Sequence, residues 1–249
     1  MPMSSSEKLL KVLEKLCLDG PAKAVSLSHE LHLNKSSVHR FLNTLISLGY
    51  INQNPETGFY SAGLKVYEMG VQVKGRLGIA KIAAPLLRRL QVEVNEAVNL
   101  GVLHNNEMLT IERFTPDDEN IKIVVKTKLP AYCTALGKVL LAGLDQRSFE
   151  RYLTETKFTA FTSRTVTDPA ALRRMIIEVR ELGYAIDDRE LDNNIRSVAT
   201  PLHDDSGMVV AGISVSAAVT RLDEERLDAA KQMLLQATED IEFALGHKS

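Results

Sequence analysis

The sequence predicts an α+β protein in two parts, a small N-terminal winged helix-turn-helix domain and a larger domain built on an antiparallel sheet. Three observations predict this fold. Apolar residues recur at helical spacing from Leu9 to Leu48. Two short β-prone runs, separated by Pro and Gly, follow that helical region directly. The remaining chain mixes strands, hairpin turns and helices, which is typical of an antiparallel α+β domain.

Composition and charge are those of a globular protein that we expect in the cytoplasm. Hydrophobic residues make up 45% of the 249 residues, and no apolar run approaches the ~18 that span a bilayer. The first residues lack the order of a signal peptide. Residues 1–78 carry nine Lys and Arg against six Asp and Glu, and the rest carries 21 against 26. A mildly basic N-terminal part and an acidic C-terminal part fit a DNA-binding domain joined to a domain that does not bind DNA.

The first predicted helix follows a serine start signal at residues 4–6. Its apolar positions run at helical spacing from Leu9 to Cys17. Gly20 and Pro21 end it, because glycine favours the C-terminal cap and proline cannot continue a helix.

Two further short helices predict the helix-turn-helix unit. Ser26 is the predicted N-cap of a helix over 27–32. After a tight turn, Asn34 or Ser36 caps the next helix, which runs to Leu48. Two short helices joined by such a turn are typical of this motif.

The third predicted helix has one apolar and one polar face, and the polar side chains near its start can all donate hydrogen bonds. No Asp or Glu occurs between Leu31 and Gln53, which favours a surface that faces phosphates. Arg40 is expected to read a guanine edge, whereas the lysine and serines position phosphates together with the helix-start N–H groups. The predicted DNA-contacting residues are Ser26, Asn34, Lys35, Ser36, Ser37, His39, Arg40 and Asn43.

The wing is predicted as a hairpin of residues 50–53 and 59–62, with a turn at Asn54-Pro55-Glu56-Thr57-Gly58. A helix then reaches about Leu77, and Gly78 breaks it before a second helix over 79–93. The predicted divisions are a winged helix-turn-helix domain at 1–70, a linker helix at 71–80 and a second domain at 81–249.

The second domain has strand and helix patterns in mixed order. The predicted strands are 98–103, 108–114, 121–126, 184–187, 197–202 and 209–216. The predicted helices are 134–142, 145–153, 169–182 and 223–245. Asp168 and Pro169 mark the start of the third of these helices, and Gly183 marks its end.

Four motifs resemble the IclR family, the isocitrate lyase regulators, in that family's order and over nearly the whole chain. They are residues 37–51 with 60–70, 129–142, 183–190 with 195–202, and 210–216 with Arg221. The resemblance implies a GAF-like effector-binding domain behind the winged helix. It also implies a homodimer or homotetramer on palindromic operator DNA, and a response to small carboxylates, sugar acids or aromatic acids.

The resemblance also implies a ligand pocket between the sheet and the loop before residue 135. Carried over by motif, its lining is Ile121, Leu129, Ala135, Leu136, Asp187, Ile195, Ser197, Ser214 and Ser216. Ser214 and Ser216 share one side of their strand, and N–H groups at the start of the next helix could hold a carboxylate. The serines could equally form a solvent face, and Asp187 could be a cap or a salt-bridge partner. Ser197 stands where many members have cysteine.

The function predicted from these residues is a DNA-binding transcriptional regulator, by preference a repressor, controlled by a small organic ligand. We expect no enzyme activity, cofactor, metal site or membrane partner. Gly137-Lys138 lacks the spacing of a P-loop, and Cys133 has no histidine nearby in sequence to activate it. Two alternatives stay open: an enzyme whose second domain acts on a metabolite, and a protein-interaction module without a DNA role.

Overall fold

A computed structural model describes residues 3–76, 78–116 and 127–246 and divides the chain into two compact units, Met1–Arg76 and Leu77–Ser249. The predicted α+β fold, with a helix-turn-helix and an antiparallel sheet, is confirmed. The strand predicted over 121–126, with the predicted ligand contact Ile121, lies outside the described residues. None of the described helices has the length and apolar character needed to cross a bilayer.

The first unit contains four helices and a two-stranded antiparallel sheet within its described residues. In chain order these are α1 (Ser5–Leu18), α2 (Ala24–Glu30), α3 (Lys35–Ser47), β1 (Ile51–Gln53), β2 (Tyr60–Ala62) and α4 (Leu64–Arg76). Ser4 caps α1, because its hydroxyl accepts from the Glu7 N–H while the Glu7 carboxylate accepts from the Ser4 N–H. Leucines of α1, α2 and α3 pack with Ile51 and Tyr60 in one apolar core.

The prediction that Ser26 caps the second helix is wrong. α2 begins at Ala24, and its N-cap is Lys23, whose side chain makes no capping hydrogen bond. The physical reason is tertiary: the backbone of Ala22 exchanges hydrogen bonds of 3.0 and 2.9 Å with Tyr60. This pairing holds the chain extended up to Ala22, and the helix starts immediately afterwards. Ser26 is therefore an exposed residue within α2.

The second unit contains six strands and five helices within its described residues. The strands are β3 (Ala97–His104), β4 (Glu107–Phe114), β5 (Lys128–Pro130), β6 (Ala185–Asp188), β7 (Ile195–His203) and β8 (Val209–Ala218). The helices are α5 (Gly78–Val94), α6 (Ala135–Ala142), α7 (Gln146–Glu155), α8 (Pro169–Leu182) and α9 (Glu224–Ala244). Asp168 caps α8, and Gly183 ends it in the left-handed conformation at φ 73°.

The six strands form one antiparallel sheet in the order β5-β4-β3-β8-β7-β6. Because side chains alternate along a strand, Ala211, Ile213 and Val215 point to one face, where they pack with α5 and α9. The other face carries Ala199 and Ala185, which pack against α6. The sheet thus separates a helical apolar core from the side on which the predicted ligand residues lie.

Glycines allow α6 to lie very close to its surroundings. A Cβ on Gly137 would stand 2.2 Å from the carbonyl oxygen of Ala131, in the 3-10 turn that precedes the helix. A Cβ on Gly101 would stand 2.8 Å from the Leu136 side chain. Real Cβ atoms do not approach backbone so closely, so position 137 requires glycine, whereas a Cβ at position 101 would displace the end of the Leu136 side chain. The two glycines fix the first turn of α6 over β3 and β8.

Candidate DNA interface and ligand site

The N-terminal half of α3 presents a polar surface to solvent. Val38, Phe41 and Leu42 are buried in the core of the first unit. Of the predicted DNA-contacting residues only Ser37 is half-buried, and the others are exposed: Ser26, Asn34, Lys35, Ser36, His39, Arg40 and Asn43. All except Ser26 lie on α3 or at its N-cap, so the structure brings seven of the eight together.

Asn34 is the N-cap of α3, which decides between the two predicted caps. Its side-chain oxygen accepts from the Ser37 N–H at 2.8 Å and from the Ser36 hydroxyl at 3.1 Å. This satisfies one of the free donors at the helix start. The remaining first-turn N–H groups carry the positive end of the helix dipole and have no carboxylate in the first turn beside them.

Arg40 lies folded back along the protein surface. Its Nη2 donates to the Ser5 hydroxyl at 3.3 Å, and its guanidinium stands 5.4 Å from the centre of the Phe41 ring. Both groups of the hydrogen bond are exposed, so water competes for it and its net contribution is about 1 kcal/mol. The arginine can therefore change partners at small cost.

The predicted serines lie in neighbouring strands of the second unit and on the same face of the sheet. Ser216 pairs with Ser197, and Ser197 pairs with Asp187. Ser214 is buried, so the alternative of a solvent face is wrong for this residue, whereas Ser216 is half-buried. The Leu136 side chain lies over Gly101, which is two residues along β3 from Asn99, the partner of Ser214. Leu136 therefore covers one side of the serines.

Three predicted lining residues do not lie beside the serines in the same way: Leu129 is distant, and Ile195 and Ala135 are at the first positions of β7 and α6. Leu129 pairs with Met108, which pairs with Leu103, four residues along β3 from Asn99. At about 3.4 Å per residue, this register puts Leu129 ~14 Å along the sheet from Ser214. Ile195 is half-buried at the first position of β7, and Ala135 is buried at the start of α6. The Thr134 hydroxyl already accepts from the Gly137 N–H at 3.1 Å, which leaves fewer helix-start donors for a ligand.

Asp187 belongs to a buried charged cluster. Its Oδ1 accepts from the Glu190 N–H at 2.7 Å. The Glu190 carboxylate forms an ion pair with Lys138, whose side chain is 1% exposed and also donates to the Ile186 carbonyl at 2.9 Å. Burial raises the pKa of Asp187 to about 7, against the lowering effects of the Glu190 N–H and of Lys138. The carboxyl therefore changes its charge near neutral pH.

Glu190 connects this cluster to a loop as well. Its carbonyl oxygen accepts from the Thr165 hydroxyl at 2.6 Å and from the Thr162 hydroxyl at 3.3 Å. One residue thus contacts β6, α6 and the turn at 162–165 through three different groups. Its second carboxylate oxygen, Oε2, is buried and has no hydrogen-bond partner in the described parts of the chain.

Four polar residues of the site were missed by the sequence reasoning. Asn99 is buried in β3, and its Nδ2 donates to the hydroxyls of Ser214 and Ser216 at 3.3 and 3.4 Å. Arg113 in β4 pairs with Asn99 in register and donates from Nη1 to its Oδ1 at 3.4 Å. A signal for Asn99 existed, since a lone amide interrupts the apolar run of residues 97–103. Lys138 and Glu190 complete the set.

Cys133, in the turn before α6, is not activated as a nucleophile. Burial raises the pKa of its thiol to about 12, so it stays protonated at neutral pH.

Two surface cavities of about 130 and 270 Å³ lie along α5 and α9. They are on the opposite side of the sheet, and none of the described residues predicted to line the ligand pocket contributes to them.

Known proteins resemble this chain along its whole length. Residues 5–55 match the IclR helix-turn-helix domain, and residues 71–243 match the family described as bacterial transcriptional regulator IclR, C-terminal. The transcriptional regulator KdgR of Escherichia coli K12 is 32% identical, over 98% of this chain and 94% of its own. The transcriptional repressor AllR of the same strain is 29% identical, over 98% and 90%.

A solved structure supports the same fold. An IclR homolog from Microbacterium hydrocarbonoxydans, complexed with 4-hydroxybenzoate, superposes with a TM-score of 0.84 at 24% identity, covering 98% of this chain and 99% of that one. The relatives that match are regulators of transcription, not enzymes. With two family models covering both units and a relative of 32% identity, this chain belongs to the IclR family of bacterial transcriptional regulators.

Proposed function

We propose that this regulator is a cytoplasmic repressor that binds a palindromic operator as a homodimer or homotetramer, and that a small carboxylate or sugar acid controls the binding. The observation that carries the DNA part is the start of α3, which is exposed, free of carboxylates and rich in hydrogen-bond donors. Such a helix end fits the major groove, where its first residues meet base edges and phosphates.

The proposed roles follow from chemistry and position. Lys35 and Ser36, beside the free N–H groups of the first turn, would bind phosphate oxygens. Arg40 would leave Ser5 and form two hydrogen bonds to a guanine, which discriminates between base pairs by about 1–3 kcal/mol. That gain exceeds the weak surface contact that Arg40 gives up.

Two copies are needed because a palindromic operator presents two equal half-sites, about 34–36 Å or a multiple of that apart. The exposed apolar side chains of α4 support a second copy as the partner. Leu64, Tyr67 and Val71 follow helical spacing and are 77%, 70% and 45% exposed. A two-fold contact between identical surfaces would bury them.

Ligand control is supported by the enclosed polar group around Asp187, Ser197 and Ser214. An apolar enclosure with a few converging polar groups is typical of small-molecule sites. A related protein bound to 4-hydroxybenzoate supports an organic acid as the class of ligand, and a relative named as a repressor supports repression. Ligand binding would change the spacing of the two α3 helices and so their fit to the half-sites.

The DNA part is tested by fluorescence anisotropy with the fragment upstream of the protein's own gene. We expect tight binding with a steep salt dependence. Arg40→Ala should cost about 1–3 kcal/mol and relax preference at one base pair, while Lys35→Ala should lower the salt slope by about one. Arg88→Ala, an exposed change in the second unit, is the matched control. Equal affinity for a shuffled fragment would disprove the proposal.

The ligand part is tested with a panel of pyruvate, D-glucuronate, benzoate and 4-hydroxybenzoate. A compound that binds only the folded protein raises its melting temperature. We expect at least one acid to do so and to release the operator fragment in the anisotropy experiment. Acids that bind without changing DNA affinity would refute ligand control.

A further inference from the structure

We infer that the ligand site binds a hydroxy acid in one orientation, with the carboxylate at Arg113 and the hydroxyl at Asp187 and Glu190. The inference rests on the proposed ligand control and adds to it the chemical class and direction of the ligand. It follows from the way hydrogen-bond donors and acceptors are divided between the two ends of one sheet face.

Arg113 is a half-buried cation without an anionic partner among the residues that the structure describes. Its described hydrogen bond goes to the neutral Asn99 amide, and no Asp or Glu among residues 3–76, 78–116 and 127–246 forms an ion pair with it. Burial lowers its pKa, because the charged form loses water without gaining a counter-charge. A carboxylate that arrives beside the guanidinium supplies that charge and two parallel hydrogen bonds.

The serines extend this donor end. The hydroxyl oxygens of Ser214 and Ser216 both accept from Asn99. A hydroxyl has one hydrogen to donate, and neither serine uses it on a partner within the described chain. Arg113, Ser214 and Ser216 therefore all offer N–H or O–H groups from neighbouring strands.

The other end offers acceptors. Glu190 Oε2 is buried without a partner in the part of the chain that the structure describes. Asp187 uses Oδ1 for the Glu190 N–H. A buried acceptor without a donor is unfavourable, so a ligand hydroxyl would satisfy a group that the described fold leaves open.

The distance between the two ends sets the size of the ligand. The Arg113 guanidinium lies beside Asn99, and Asn99 and Asp187 are three strands apart and two residues apart along the strands, which corresponds to about 16 Å between backbones. Two hydrogen bonds of about 2.8 Å leave roughly 10 Å between the end atoms of the ligand. A ring-sized hydroxy acid covers most of that distance, whereas a two- or three-carbon acid does not.

The test uses two pairs of probes that differ in the acid group, 4-hydroxybenzoate with 4-hydroxybenzamide and D-glucuronate with D-glucose. Binding to the full-length protein is measured by calorimetry. We expect the wild type to prefer the acid of at least one pair by about 10- to 100-fold, and Arg113→Gln to lose this preference. Arg88→Gln, whose guanidinium lies over Phe114 on the other face, is the control and should keep it.

A second readout separates ligand binding from a structural role. Because no carboxylate of the described chain pairs with Arg113, Arg113→Gln should leave the melting temperature of the ligand-free protein unchanged or raise it. Retained preference for the acid in Arg113→Gln, preference of the wild type for the uncharged probe, or no binding of either pair would each overturn the inference. Ligand control itself fails only if the wider panel has no effect on DNA affinity.

Discussion

The two units of this regulator place their functional side chains in opposite environments. In the first unit the polar surface of α3 is exposed, and no polar or charged side chain described there is buried. In the second unit the described buried set includes Asn99, Lys138, Asp187, Glu190 and Ser214. The difference teaches that the predicted DNA contacts can change with little effect on folding, whereas the predicted ligand contacts are part of the folding energy of their unit.

The sharpest way to break this comparison is to remove one charge from each unit. Lys138→Met should destabilise the second unit by about 3–5 kcal/mol, because Glu190 is left as an uncompensated buried charge. Lys15→Met in the first unit removes surface ion pairs with Asp19 and Glu30, which water screens, and should have much less effect. Hydrogen exchange measured by mass spectrometry reports on each unit separately.

A rescue experiment checks the cause of that loss. The double variant Lys138→Met with Glu190→Gln removes both charges and should recover most of the stability. If the single Lys138 variant were as stable as the Lys15 variant, burial of the pair would not matter and the comparison would fail.

The next largest effect depends on pH. Because the pKa of Asp187 is raised to about 7 in the folded protein, the folded state binds its proton more tightly than the unfolded state. The contribution of Asp187 to the free energy of unfolding is therefore fully present below about pH 4, and it is lost as pH rises through 7. A change from 3.8 to about 7 corresponds to about 4 kcal/mol. We expect the free energy of unfolding of Asp187→Asn, relative to that of the wild type, to rise by up to this amount from pH 4 to 8. Urea unfolding at each pH measures this difference.

Asp145 gives the opposite sign in the same unit. It is exposed, and hydrogen bonds from Ser148 lower its pKa, so its contribution is lost as pH falls. Asp145→Asn should therefore show no gain between pH 4 and 8. A flat pH profile for the Asp187 difference would mean that the carboxyl is solvated in the folded protein.

A smaller effect is expected from glycine. Gly137→Ala should destabilise the second unit by about 1–3 kcal/mol, since the new Cβ meets the Ala131 backbone. Gly70→Ala is the matched change in the first unit, in α4 with no atom within 4 Å of the added carbon. It should stabilise by up to about 1 kcal/mol, because alanine favours helix. Calorimetric melting of both variants checks the opposite signs.

The smallest effect compares two helix caps. Asn34→Ala removes the exposed cap of α3 and should cost about 1 kcal/mol. Thr134→Ala removes the cap of α6, where the hydroxyl is buried and the Gly137 N–H loses its acceptor. It should cost somewhat more, about 1–3 kcal/mol. Equal losses in thermal unfolding would contradict the contrast between an exposed and an enclosed cap.

Local features of the fold were predictable from sequence. Asp168 and Gly183 bound α8 as expected, since capping depends on neighbouring residues alone. Ser26 was assigned wrongly because the backbone pairing of Ala22 with Tyr60, which fixes the start of α2, joins distant segments. The DNA contacts remain predictions, but their shared exposed surface on α3 follows from helical spacing.

The ligand site was harder to predict because it depends on sheet order and on a bulge. The pairing of β3 with β4 shifts between Leu100 and Gly101: Leu100 pairs with Glu112 and Gly101 with Thr110, which leaves one extra residue in β4. Simple alternation would put Arg113 on the face opposite to Thr110, whereas the extra residue turns it to the same face. No local pattern announces this shift, nor that β3 and β8 are neighbours.

Glu190 links three segments of the second unit through its own polar groups. Its amide, carbonyl and carboxylate each contact a different segment, and they are joined by the covalent bonds of one residue. A molecule that draws Asp187 towards itself by a fraction of an ångström therefore pulls on α6 and on the turn at 162–165 at once. Lys138 also donates directly to the Ile186 carbonyl, so β6 and α6 are joined both through Glu190 and without it.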